Sequence, residues 1–340
     1  NGCKQRCHTM RKLKLQAALD PGTQLPAPTH GSLLDRAQAR WAEIDLSLPD
    51  LAPAIALQKS LVGRTILAVD RLDHSGPPIV NLAPDQAADK LRAGTPVLRG
   101  ERVALPVALL EPLLLDACDD LAVGGAGDVA RRVRGCLDDG RINVNSLLTA
   151  SFERNQSAIL GKAVHEGIAP DVLWLAAELA VGPAAYVAQR GLLSPDGAES
   201  HSSVIDALEA WPHGYCPACG SWPAFGEDPD TSRQLRCSFC GGGWRPRTLG
   251  CTYCEDEPGH VTSLKTDPGL THRATLCSGC GAYLKWLDLA GPTPFELLPI
   301  EDLASTPLDV LAVNEGFGRP SLPDLGRPER FPCQMVDPRH

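Results

Sequence analysis

The sequence predicts a multidomain α+β protein: an all-α N-terminal helical domain followed by two small metal-binding ribbons. Three observations predict it. Residues 31–205 carry apolar side chains at spacings of three and four, the period of an amphipathic helix. Near residue 211 these stripes give way to short Gly- and Pro-punctuated stretches that persist to about residue 290. Four CxxC pairs fall in that region, so eight of the chain's 13 cysteines lie between residues 216 and 280.

The chain's 340 residues are enough for more than one core. Residues 1–30, basic and then Pro- and Gly-containing, are expected to be disordered. The chain opens on Asn, and Met10 precedes "RKLKLQAALDPG", so residues 1–9 are read as an upstream artefact and Cys3, Cys7 and His8 are assigned no site. Residues 31–210 form the helical domain. "SLLDRAQARWAEI" sets Leu33, Leu34, Ala37, Trp41 and Ile44 on one stripe. "PDQAADKLRAG" opens on Pro84, suited to a first helical turn, and stops at Gly94, suited to a C-cap. "PVALLEPLLLDACDDLAVGG" and "DVARRVRGCLDDG" both run to glycine. "NSLLTASFERNQSAILGKAVHEG" reads as a helix with Ser146 as N-cap. "PDVLWLAAELAVGPAAYVAQRG" reads as a helix kinked or broken near Pro183. Six to eight helices are expected in all. Residues 211–250 then form the first CxxC ribbon, and 251–320 form the second with a C-terminal helix. Residues 321–340 form a Pro-rich, extended tail.

The pairs are Cys216/Cys219, Cys237/Cys240, Cys251/Cys254 and Cys277/Cys280. Two thiolates two residues apart sit on one tight turn and supply half of a tetrahedral four-sulfur site. Gly220, Gly241 and Gly281 follow three of the pairs and allow a left-handed backbone there, whereas Glu255 follows the third. Seventeen residues separate Cys219 from Cys237, 22 separate Cys254 from Cys277, and 10 separate Cys240 from Cys251. The economical grouping is sequential: Cys216, Cys219, Cys237 and Cys240 on one metal, Cys251, Cys254, Cys277 and Cys280 on the other. Tetrahedral sulfur suits zinc or iron, so the ribbons are of zinc-ribbon or rubredoxin-like kind and the cofactors are two metal ions, iron or zinc. A redox dithiol is disfavoured, since four pairs occur and none lies by a βαβ unit.

Other residues are given plainer roles. His213, His260 and His272 are expected in loops, because eight cysteines already complete two sites. Cys118 and Cys136 fall on helical stripes as small buried hydrophobes, and Cys333 is assigned no role. Trp211, Trp222, Trp244 and Trp286 are expected to shield the ribbons. The net charge of −9 weighs against a nucleic-acid binder, as do seven Lys/Arg against eight Asp/Glu over residues 211–290. The longest apolar stretch, at 172–188, is interrupted by Glu178 and Gly182-Pro183, so no membrane insertion is expected. No basic leader runs into an apolar segment, so a cytoplasmic protein with reduced thiols is expected. No P-loop, GxSxG, GxGxxG after a strand or HExxH is present, so no catalytic residue is nominated.

"CPACGSWPAFGE", "LRCSFCGGGWRPRTLGCTYCE" and "LCSGCGAYLKWLDL" together resemble the formate dehydrogenase accessory protein FdhE family. The matching features are the four CxxC pairs in order, Trp244 and Arg247 between the second and third, and Tyr283, Leu284 and Lys285 after the fourth. The segment 301–320 resembles that family's closing acidic helix, with Pro307 as a departure. The resemblance covers roughly residues 30–320. It implies a cytoplasmic, non-enzymatic maturation factor that binds the catalytic molybdenum-containing subunit of formate dehydrogenase before export. It also implies rubredoxin-like iron at the cysteine sites. The alternatives are a zinc-ribbon nucleic-acid-binding protein and a rubredoxin-type electron carrier.

Overall fold

A computed structural model describes residues 30–75, 78–193, 202–228, 233–246, 250–255, 258–266, 272–320 and 322. Cys3, Cys7, His8, Arg247 and Cys333 lie outside the described residues, as do the expected disordered segment 1–30 apart from His30 and the expected tail 321–340 apart from Leu322. Nine α-helices precede the ribbons among the described residues: α1 (His30–Ser47), α2 (Ala52–Ser75), α3 (Pro84–Arg92), α4 (Val107–Leu121), α5 (Gly127–Asp138), α6 (Val144–Phe152), α7 (Gln156–Glu166), α8 (Pro170–Leu193) and α9 (Ser202–Glu209). Two short strands, β1 (Ile79–Val80) and β2 (Val103–Ala104), pair antiparallel among them.

The helices number nine among the described residues, not the six to eight expected, and three local readings are corrected as well. Residues 52–75 are helical throughout, although no helix was assigned there; Ile55, Val62, Ile66, Val69 and Leu72 form the buried stripe. The helix expected from Ser146 is two helices. Asn143, not Ser146, caps α6 by accepting from the Ser146 amide (2.8 Å), and Asn155 caps α7 by accepting from the Ala158 amide (3.1 Å). Arg154, with φ 57°, turns the chain between them. The helix expected to be kinked or broken near Pro183 is not broken: it runs from Pro170 to Leu193 with Pro183 inside it.

That helix, α8, is the centre of the helical layer. It is long and apolar enough to cross a membrane by length and composition, but 61% of its apolar window is buried inside the structure. A helix that is apolar all round finds its apolar surroundings in a protein core. Gly182 lets α8 come close to the first ribbon, since a Cβ there would stand 3.3 Å from the Phe239 carbonyl oxygen. Arg64 ties α2 to α4 through Asp116 (2.5 Å) and Asp120 (2.6 Å).

The ribbon strands are β3 (Phe225–Glu227), β4 (Gln234–Arg236), β5 (Gly243–Trp244), β6 (Val261–Leu264), β7 (Arg273–Cys277) and β8 (Tyr283–Leu287). They form one six-stranded sheet in the order β5-β4-β3-β8-β7-β6. Within each ribbon the strands are antiparallel. The two ribbons join where β3 runs parallel to β8, with Gly226 opposite Trp286 and Glu227 opposite Leu287. Two last helices, α10 (Leu298–Ala304) and α11 (Thr306–Asn314), follow. Leu297 and Ile300 return to a cluster with Leu33, Trp41, Ile55 and Ile66 of α1 and α2, and Glu301 pairs with Arg40 (2.9 Å). The main core is contiguous from the helices through both ribbons.

Candidate metal centres

Four reverse turns carry the eight cysteines. The Gly220 amide donates to the Cys216 carbonyl, the Gly241 amide to Cys237, the Glu255 amide to Cys251 and the Gly281 amide to Cys277, each at 2.9 Å. The residue closing each turn has positive φ: 84° at Gly220, 69° at Gly241, 58° at Glu255 and 68° at Gly281. Glycine adopts this backbone freely, whereas a residue with a side chain there costs about 1 kcal/mol. The second turn is the tip of the β4–β5 hairpin and the fourth is the tip of β7–β8, so each ribbon presents one hairpin turn to one preceding turn.

This brings the sulfurs together in sequential fours. In the first cluster the Sγ atoms of Cys216 and Cys240 are 3.5 Å apart, as are those of Cys219 and Cys237. In the second, Cys251 and Cys280 are 3.7 Å apart, as are Cys254 and Cys277. Within each cluster all four Sγ atoms lie within 4.8 Å of one another. A tetrahedral ion with bonds of about 2.3 Å to sulfur spaces its ligands about 3.8 Å apart, whereas a disulfide closes to about 2.0 Å. Spacing and donor type therefore fit one soft tetrahedral cation per cluster, and zinc and iron both meet that description.

The charge balance points the same way. Burial pushes the Cys216 and Cys240 thiols well above their ordinary range. A hydrogen bond from the Cys280 thiol holds Cys251 down to about 5. Crowded sulfurs in a low-dielectric site resist ionising together. A bound cation removes that conflict, because thiolates become its ligands and protons leave.

Neither cluster includes histidine or carboxylate. His213 stacks on Tyr215 at 4.7 Å, and the His272 ring accepts from the Asp288 amide (3.0 Å). Trp211, Trp244 and Trp286 are buried, and Trp222 packs edge-on to Tyr253 at 5.2 Å. Cys118 and Cys136 are buried in the helical core, and burial pushes the Cys118 thiol up to about 12, leaving it unreactive.

Sequence reasoning missed Arg154. Its side chain is almost fully buried and pairs with Glu178 (3.1 Å). Its guanidinium lies over the rings of Trp174 (4.7 Å) and Phe239 (4.0 Å), the latter inside the second turn. Burial opposes ionisation of the Cys219 thiol, but hydrogen bonds from Cys216, Cys237 and Cys240 hold it well below its ordinary range, and Arg154 adds a smaller pull in the same direction. A divalent ion and four thiolates carry a net charge of about −2, and this buried cation opposes it. Nothing local in the sequence marks Arg154, because its partners come from α8 and the first ribbon.

No family model matches the chain. Over 113 residues the chain is 35% identical to Protein FdhE of Salmonella paratyphi A, a match covering 32% of this chain and 36% of that protein. It is 33% identical over 118 residues to an FdhE homolog of Aquifex aeolicus, covering 32% of this chain and 40% of that protein. The crystal structure of the FdhE protein from Pseudomonas aeruginosa superposes with a TM-score of 0.51 at 25% identity, covering 87% of this chain and 96% of that one. In sequence and in fold, then, the chain is similar to FdhE proteins. In sequence, it spans just over a third of the length of the curated FdhE relatives it matches. In structure, the likeness to FdhE takes in the helical layer as well as the ribbons.

Proposed function

We propose that this chain is a cytoplasmic maturation factor for formate dehydrogenase that binds the enzyme's catalytic, molybdenum-containing subunit before export. It is not itself an enzyme. The observation that carries this reading is the pair of four-sulfur clusters set in a fold that matches an FdhE structure over most of its length. A metal held by four cysteines has no open position for substrate, which fits a shaping role better than a catalytic one. The metals are iron or zinc, and they hold two ribbons too small to keep their turns together unaided.

Calorimetric titration of the metal-loaded chain against the catalytic subunit purified before export tests the reading. Saturable binding is expected. Cys→Ser at one position of either cluster, for example Cys237→Ser, is expected to weaken metal retention and subunit binding together. Unchanged binding by metal-free protein would sink the claim that the centres shape the docking surface. Metal analysis of protein purified anaerobically separates two irons, with sulfur-to-iron absorption, from two zincs in a colourless protein.

A further inference from the structure

We propose that the two centres have different roles: the first is a closed structural site, and the second gives up its metal to donor ligands that reach it from solvent. The inference rests on both clusters holding metal and on how differently the fold encloses them.

All four cysteines of the first centre are buried. Its turns are clamped by residues from elsewhere in the chain. The amides of Val97 and Leu98 donate to the carbonyls of Pro217 and Ala218 within the first turn (2.9 Å each). The second turn lies under α8: Gly241 packs against Tyr186 and Phe295, whose rings stack at 4.5 Å. Arg236, held by buried Glu227 (3.1 Å), donates to the carbonyls of Gly241 (3.4 Å) and Thr293 (2.6 Å). A cavity of about 510 Å³ between helices and sheet is lined by Pro217, Ala218, Gly241, Gly242 and Gly243 of these turns but by none of the four cysteines, so backbone stands between it and the sulfurs.

The second centre lacks that cover. Cys254 and Cys280 are half-buried, and Glu255, Ser278 and Gly279 beside them are exposed. The two accessible cysteines come one from each turn, so they define one edge of the sulfur tetrahedron that solvent can approach. The third turn is packed from the first ribbon by Gly214 against the Thr252 carbonyl and by Trp222 against Tyr253 (5.2 Å), contacts that cover Thr252 and Tyr253 and leave Cys254 half-buried. The Ser278 amide donates to the His260 carbonyl (3.0 Å), and the Tyr253 hydroxyl donates to the Tyr283 carbonyl (3.2 Å). The third turn closes through Glu255 in a conformation that favours glycine. Exchange at a four-sulfur ion requires an entering donor to reach the metal and a resident thiolate to swing away. One metal–sulfur bond forms as another breaks, the departing thiolate takes a proton from water, and no electrons are transferred. The apolar shell around a site governs that access.

The test uses the full chain carrying two zinc ions, mixed anaerobically with excess 4-(2-pyridylazo)resorcinol while zinc release is followed by absorbance. Two phases of equal amplitude are expected, the faster by about tenfold or more. Cys280→Ser is expected to abolish the fast phase and keep the slow one. Because that variant could fold poorly, wild-type protein is also treated with N-ethylmaleimide and mapped by mass spectrometry. Cys254 and Cys280 are expected to be labelled before Cys216, Cys219, Cys237 or Cys240. A single release phase, a fast phase that survives Cys280→Ser, or first-centre cysteines labelled as early as the second would each overturn the proposal. The zinc count before mixing checks the metal reading separately, and a count below two would overturn both.

Discussion

Gly241 and Glu255 close equivalent turns under opposite constraints. Gly241 combines φ 69° with close packing: a Cβ there would lie 2.7 Å from a ring carbon of Tyr186 and 2.9 Å from Phe295. Gly241→Ala adds backbone strain to overpacking and is expected to cost about 2–4 kcal/mol, read as a drop in the thermal midpoint of metal-loaded protein. Glu255 has the same left-handed backbone but an exposed side chain whose contact is His213 at 3.5 Å. Glu255→Gly relieves about 1 kcal/mol of backbone strain and gives up an exposed pair worth less than that. Its midpoint is expected to hold or rise, and a clear fall would mean that the carboxylate supports the centre in another way.

At the scale of elements, the segments "YLK" at 283–285 and "EDLASTPLD" at 301–309 are two halves of one charge network. Lys285 of β8 is fully buried, and its ammonium donates to the Asp302 carbonyl (2.9 Å) and contacts the carboxylates of Asp302 and Asp309 (2.7 Å each). Arg319 adds contacts to Asp302 (2.9 Å) and Asp309 (2.8 Å), and the Tyr283 hydroxyl donates to Asp309 (2.8 Å). Despite the burial of Asp302, Arg319 and Lys285 hold its carboxyl below the usual range. The network fastens α10 and α11 to the second ribbon. Lys285→Met would leave two half-buried carboxylates with Arg319 as their remaining cation and is expected to cost about 2–3 kcal/mol in urea unfolding. A loss under about 1 kcal/mol would mean that Arg319 alone satisfies both aspartates.

For the whole molecule, the parallel pairing of β3 with β8 makes two ribbons into one sheet, and the helices share a contiguous core with it. Each ribbon has few apolar residues of its own, so its fold depends on metal and on the covering helices. Stripping both metals by chelation is expected to shift tryptophan emission to the red as Trp211, Trp244 and Trp286 become wet, with most of the helical circular dichroism kept. Emission unchanged by full metal removal would mean that the helical layer alone holds the ribbons shut.

The sequence by itself determined the helical-then-ribbon order, the eight thiols and their economical grouping. These rest on short-range physics: the 3.6-residue period of a buried face, and two sulfurs that share one turn. It also placed Cys118 and Cys136 in the helical core, since small apolar residues on a stripe face inward. Local signals failed where another segment decided the outcome. Pro183 interrupts a pattern, yet α8 runs unbroken through it within the core. Arg154 is unremarkable in sequence, and Lys285 is marked there only by the resemblance and not by its charge partners, because the partners of both lie in segments brought near only by folding. The difference in enclosure between the centres was equally invisible, since both have the same CxxC spacing. Only tertiary structure places α8 over one cluster and leaves an edge of the other to solvent, because burial is set by what packs on a turn, not by the turn's own residues.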